Sequence, residues 1–158
     1  IFNSLASIQQ FIGDNEAVVA QQFLGRFSRL MRLILENSSR PFVPLADETE
    51  LLEHYLNLEK LRFGNRFCFS IENDIDEPEF VMIPPMITQP FVENAVLHGF
   101  RDKHEGGVLT LKYIQEGNMI RCTVSDNGCG RSPVSGKPGH RSLATSVVMQ
   151  GLNLLRTE

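Results

Sequence analysis

The chain has 158 residues, 42% of them hydrophobic, which is enough apolar material for a packed core. Its formal net charge of −4 gives no electrostatic reason to expect a nucleic-acid partner. No uninterrupted apolar run in these residues approaches the roughly 18 that span a bilayer. Ile1, Leu5, Ile8 and Ile12 keep helical spacing until Gly13-Asp14-Asn15 breaks it, and Asp14 or Asn15 can cap a second helix. That helix carries Val19, Phe23, Phe27, Leu30 and Ile34 as one stripe, widened by Leu24, Met31 and Leu35. The face is wider than one partner helix covers, so it serves core packing or a dimer seam, and the width favours the seam.

Residues 38–44 form a proline-punctuated linker. A further helix enters at Leu45-Ala46-Asp47-Glu48, with its acids at the positive end of the dipole, and continues through Leu51, Leu52, Tyr55, Leu58, Glu59 and Leu61 to about Phe63. Residues 66–72 alternate Phe67, Phe69 and Ile71 inward as a strand, and an acidic loop follows over 73–79. The stretch 84–99 is the centre of the chain. Its prolines suit an extended lead-in and a first helical turn; Ile87, Phe91 and Ala95 recur as an apolar stripe, and Gly99 ends the helix. Asn94 and His98 are four apart and share a second face. Beyond it come a strand over 108–115 with Leu109, Leu111 and Tyr113 on one side, a turn at Glu116-Gly117-Asn118, and a strand over 119–125 with Ile120, Cys122 and Val124 inward. Cys68 and Cys122 read as inward strand thiols of a reducing cytoplasm, while Cys129 falls in a glycine loop. Residues 131–139 are too polar to pack, and Val147, Val148, Leu152 and Leu155 give an amphipathic helix to the end. The fold class is α+β, with a helical hairpin over 1–40, a linker and connecting helix over 41–65, and a sheet domain over 66–158.

Two places carry chemistry. Glu93-Asn94 lies on an otherwise apolar helix, where burying such a pair is costly unless something there needs it; the alternative is a core helix whose pair simply reaches solvent. Asp126-Asn127-Gly128-Cys129-Gly130 ends a strand, where ligands collect and where glycines allow close backbone approach; the alternative is an ordinary hairpin turn.

In this order, a helix with Glu-Asn followed by two strands and Asp-x-Gly-x-Gly, the chain resembles the ATP-binding domain of histidine kinases, gyrase-type topoisomerases and their chaperone relatives, the GHKL or Bergerat fold. Gln89-Pro90-Phe91-Val92-Glu93-Asn94-Ala95-Val96-Leu97-His98-Gly99 is more specifically similar to the LytS-type sensor histidine kinases of two-component systems. The opening residues 1–9 resemble that family's phosphoacceptor helix, and residues 50–63 its connecting helix. The resemblance implies a helical dimerisation and phosphoacceptor hairpin followed by a GHKL-type α/β sandwich. It places the acceptor histidine just before Ile1, so that this fragment alone is expected to be inactive and incomplete at its carboxyl end.

The same resemblance implies ATP and Mg²⁺ as cofactors. Asp126 would accept from the adenine amino group, Gly128 and Gly130 would let the backbone pass under the purine, and Asn94 would ligate Mg²⁺ with Glu93 beside it. His98 would reach phosphate or cap its helix. Residues 131–139 stand where the ATP lid lies, and Gly139 and Ser142 belong to a variant second glycine box in which Ala144 replaces a glycine. Pro90 occupies the place of the general-base glutamate of hydrolysing relatives, which favours transfer to a protein side chain over ATP hydrolysis. Implied partners are a response regulator and a second copy of the chain through the amino-terminal helices, at the cytoplasmic side of the plasma membrane, with the membrane reached only through segments outside this chain. The competing function is a degenerate, non-catalytic dimeric nucleotide-binding or scaffold module, which Ala144 favours.

Overall fold

The computed structural model describes residue 13, residues 16–100 and 105–128, and the backbone of residues 143–150. In chain order the elements are helix α1 (Ala17–Ser38), strand β1 (Val43–Pro44), helix α2 (Leu45–Phe63), a 3₁₀ turn (Gly64–Arg66), β2 (Phe67–Asn73), β3 (Met82–Ile83), helix α3 (Gln89–Asn94) continuing as a π-helical turn (Ala95–Gly99), β4 (Gly107–Glu116), β5 (Met119–Asp126) and β6 (Leu143–Gln150). The architecture is α+β, as the patterning indicates.

The main sheet has the order β2-β4-β5-β6. β2 and β4 run parallel from Phe67 opposite Gly107 to Asn73 opposite Tyr113, and the other pairs are antiparallel. Parallel neighbours need a crossover, and here the crossover carries α3 back across the sheet. The inward row of β4, Leu109, Leu111 and Tyr113, is fully buried and joins Ile120, Cys122 and Val124 of β5 in one cluster. Leu51, Leu52, Tyr55, Leu56 and Leu58 of α2, Val92 of α3, and Ala95 and Val96 of the π-helical turn join that cluster. Two helices therefore share the core on the sheet's apolar face.

Several expectations change. The helix expected through Val147 and Val148 is a strand in its described part, β6, paired with β5 from Met119 opposite Gln150 to Asp126 opposite Leu143. Thr145, Val147 and Val148 are β-branched and suit a strand, and the pairing covers an edge of β5 that would otherwise present open N–H and C=O groups. The linker is partly ordered: Val43 and Pro44 pair antiparallel with Ile83 and Met82, and Leu45 N–H donates to Val81 O at 2.7 Å. Cys68 lies on the exposed side of β2, because Phe67 takes the inward position beside it, whereas Cys122 is buried as expected. The first helical pattern, over residues 1–12, lies outside the described residues.

Candidate functional site

The central stretch folds as a short helical run whose buried stripe is Val92, Ala95 and Val96, with Ile87 and Phe91 partly covered. Pro90 lies in the first turn, where a missing N–H leaves no gap in the helix. This rotation leaves Asn94 and His98 exposed and Glu93 half-buried. Gln89 Nε2 donates to Glu93 Oε1 at 2.8 Å, so one helical turn fixes the carboxylate from within α3. The run ends where Gly99 gives way to Phe100, which is fully buried and stacks on Phe67 of β2 at 5.3 Å between ring centroids.

Gly99 is required by contact and not by a left-handed φ, since it is absent from the positive-φ glycines among the described residues. A Cβ on Gly99 would lie 3.0 Å from Asp126 Oδ1, and a Cβ on Gly128 would overlap the Gly99 backbone. The end of the Glu-Asn helix and the Asp-x-Gly loop are thus pressed together with no side chain between them. Asp126 Oδ1 accepts from Gly128 N at 2.8 Å, which leaves the carboxylate's second oxygen for another donor. Asn127 ties the loop to β4: its Oδ1 accepts from Val108 N at 2.8 Å and its Nδ2 donates to Gly106 O at 2.9 Å.

Behind Glu93 lies a second group of charges. Arg62 Nη2 pairs with Glu59 Oε2 at 2.7 Å, off the axis of a hydrogen bond, and Glu59 is only 3% exposed. Burial pushes the Glu59 carboxyl above the usual range, the Arg62 guanidinium opposes this, and the Glu93 carboxylate adds to it. Burial likewise raises the Tyr55 phenol far above its ordinary value, with Glu59 and Glu93 contributing in the same direction. At the other end of α3, Glu48 is fully buried and its carboxylate accepts from Met86 N at 2.8 Å and Thr88 N at 3.3 Å.

Of the residues singled out in the sequence, Glu93, Asn94 and His98 share one helical run, and its terminal Gly99 meets Asp126 and Gly128. Gly130, Gly139, Ser142 and the lid expected over 131–139 lie outside the described residues. Glu48, Glu59 and Asn127 were not singled out for these roles. A signal existed for the first two: Glu48, Leu52, Tyr55 and Glu59 fall at helical spacing on the buried stripe of α2, where a carboxylate demands a partner.

The residues suit a magnesium nucleotide. Among the described residues no group of three or more His, Cys, Asp or Glu side chains could cage a metal. Mg²⁺ does not require one: it binds through one or two protein oxygens with phosphates and water, and Asn94 offers such an oxygen at the surface. No helix of the described residues is long and apolar enough to cross a membrane.

The histidine kinase family profile matches residues 1–67. The chain is 32% identical over 133 residues to the sensor histidine kinase YpdA of Escherichia coli, an alignment covering 84% of this chain and 23% of that protein. It is 33% identical over 132 residues to the sensor histidine kinase/phosphatase LytS of Staphylococcus aureus, covering 83% of this chain and 22% of that protein. The chain therefore spans less than a quarter of the length of these curated relatives. A solved complex of histidine kinase ThkA with response regulator protein TrrA aligns with a TM-score of 0.42 at 14% identity, over 80% of this chain and 42% of that one.

Proposed function

The chain belongs to the sensor histidine kinases, and on that premise we propose that it is part of a two-component kinase core that binds Mg-ATP and passes the γ-phosphoryl group to a histidine, then to a response regulator. The observation that carries this reading is the closure of Gly99 onto Gly128, which puts the Asn94 helix and the Asp126 carboxylate at one seam. In this reading the free Asp126 oxygen accepts from the adenine amino group and disfavours guanine, which presents a carbonyl there. Gly128, with no side chain, lets its backbone close on Gly99 and so holds the Asp126 loop against the end of the Asn94 helix. Asn94 presents its carboxamide oxygen to the metal, and Glu93, oriented by Gln89, stands beside it. Mg²⁺, when bound, would neutralise charge on the phosphate oxygens. Pro90 carries no base that would activate water, so the site favours transfer to an imidazole, and catalysis is mainly positioning. The exposed Leu24 and Leu35 of α1 fit a homodimer through the amino-terminal helices.

Calorimetric titration tests the assignment. ATP should bind in preference to GTP, and Asp126→Asn should weaken ATP binding about tenfold to a hundredfold, the magnitude of one charged hydrogen bond. Equal affinity for the two nucleotides, unchanged by the substitution, would remove Asp126 from the site. The competing reading, a degenerate scaffold, draws on Ala144, which stands in β6 opposite Ser125 and not in a glycine turn. Absence of saturable ATP binding is the result that favours it.

A further inference from the structure

Thr88 precedes α3 and its backbone oxygen accepts from Phe91 N at 3.1 Å and Val92 N at 3.3 Å, so it starts the helix. Its side chain makes no capping bond, because the hydroxyl is taken by Tyr113 Oη at 3.2 Å. Two residues earlier Met86 has a φ of 55°, a left-handed conformation that side chains with a Cβ rarely adopt and that its surroundings must hold in place. Both backbone N–H groups, Met86 and Thr88, donate to a single side chain, Glu48 in the first turn of α2, one to each carboxylate oxygen. Packing alone does not explain this residue. Glu48 is 0% exposed on the same stripe as Leu52, where a leucine would fill space without the cost of burying a charge. A glutamine would not serve either, since it has one acceptor oxygen for two donors and would set its own N–H₂ against the other.

We propose that Glu48 is a positioning residue for the nucleotide site: it clasps the start of α3 to α2 and thereby fixes where Asn94 stands. This rests on the reading of Asn94 as the magnesium ligand. Asn94 lies six residues beyond Thr88 along the helix, about 9 Å at the helical rise, with no flexible segment between them. The clasp is shared by three elements: Glu48 of α2 holds the Thr88 N–H, and Tyr113 of β4 holds its hydroxyl. Loss of the carboxylate frees Met86 to leave its left-handed conformation, and the displaced helix start is carried to Asn94.

The test measures Mg-ATP affinity and the Mg²⁺ concentration for half-saturation in the parent chain, in Glu48→Gln and in Leu52→Ala. The last is a control that lowers stability from the same helix without touching the clasp. Glu48→Gln should weaken Mg-ATP binding about tenfold and raise the Mg²⁺ requirement, as loss of a partner that orients a metal ligand does. Leu52→Ala, compared at a temperature where both variants are folded, should leave both quantities as in the parent. Should Glu48→Gln fail to fold, Tyr113→Phe removes the other half of the clasp and should shift the Mg²⁺ midpoint in the same direction by a smaller factor. A parent-like Mg²⁺ midpoint in whichever of these variants folds, or an equal shift in Leu52→Ala, overturns the positioning role alone. A parent chain that binds no nucleotide overturns the reading of the site, and the role of Glu48 with it.

Discussion

Glu59 shows how one carboxylate couples stability to pH. Its burial raises the folded-state pKa, with Glu93 adding and Arg62 opposing. A group whose folded pKa lies above its unfolded one contributes stability that is fully present below the unfolded pKa and is lost as pH rises through the folded pKa. Acidification from neutral pH towards the usual carboxylate range should therefore stabilise the fold through Glu59. Glu59→Gln should reduce the gain seen between pH 7 and pH 5 in urea unfolding, and an undiminished gain would remove Glu59 from that account. Helical spacing signalled that Glu48 and Glu59 would be buried, but not which groups they would meet. Asp47 and Glu48 at a helix start read as partners of the dipole, and only the crossover, 38 residues away in sequence, brings Met86 N–H to Glu48. Asn94 and Asp126 were singled out because each sits in a local pattern whose neighbours, Glu93 and Gly128, mark it.

At the scale of elements, the junction of the π-helical turn with the β5 end has no room for added volume. Gly128→Ala would set a methyl into the Gly99 backbone, where neither chain has a flexible side chain that could yield. The substitution should cost about 1–3 kcal/mol in denaturant unfolding, as overpacking does, and weaken ATP binding with it. Unchanged stability would show that the loop stands free of the helix. Strands β4 and β5 were readable from strict alternation and the turn at Gly117, whose φ of 61° suits glycine. β6 was not, because Val147, Val148, Leu152 and Leu155 fit a helical period as well as β-branched content fits a strand, and the open edge of β5 is what favours pairing. The two-residue β1 and β3 were invisible for another reason: a pair so short has no period, and it exists only because Leu45 and Val81 are drawn together.

For the whole molecule, α1 is covered by its neighbours along Ala20, Phe23 and Leu30, while Leu24 and Leu35 stand 50% and 65% exposed. Leu24, Met31 and Leu35 recur on one helical face, the arrangement of a seam between helices. With Leu24→Glu and Leu35→Glu combined, sedimentation should shift from dimer to monomer with ATP affinity retained, and a parent chain that is already monomeric would exclude the seam. The sheet has a further consequence, in the order of folding events. Phe67 must find Gly107 in parallel register across 40 residues before any ladder bond between β2 and β4 forms. Closing so long a loop costs entropy ahead of its reward, which places this pairing among the slow contacts of the chain, after the β4–β5 hairpin. The residues assigned to nucleotide recognition lie within that loop and at the hairpin's far end. On the proposed reading, a newly made chain should therefore acquire its binding site only after this long loop has closed, and nucleotide should select molecules in which β2 and β4 are already paired.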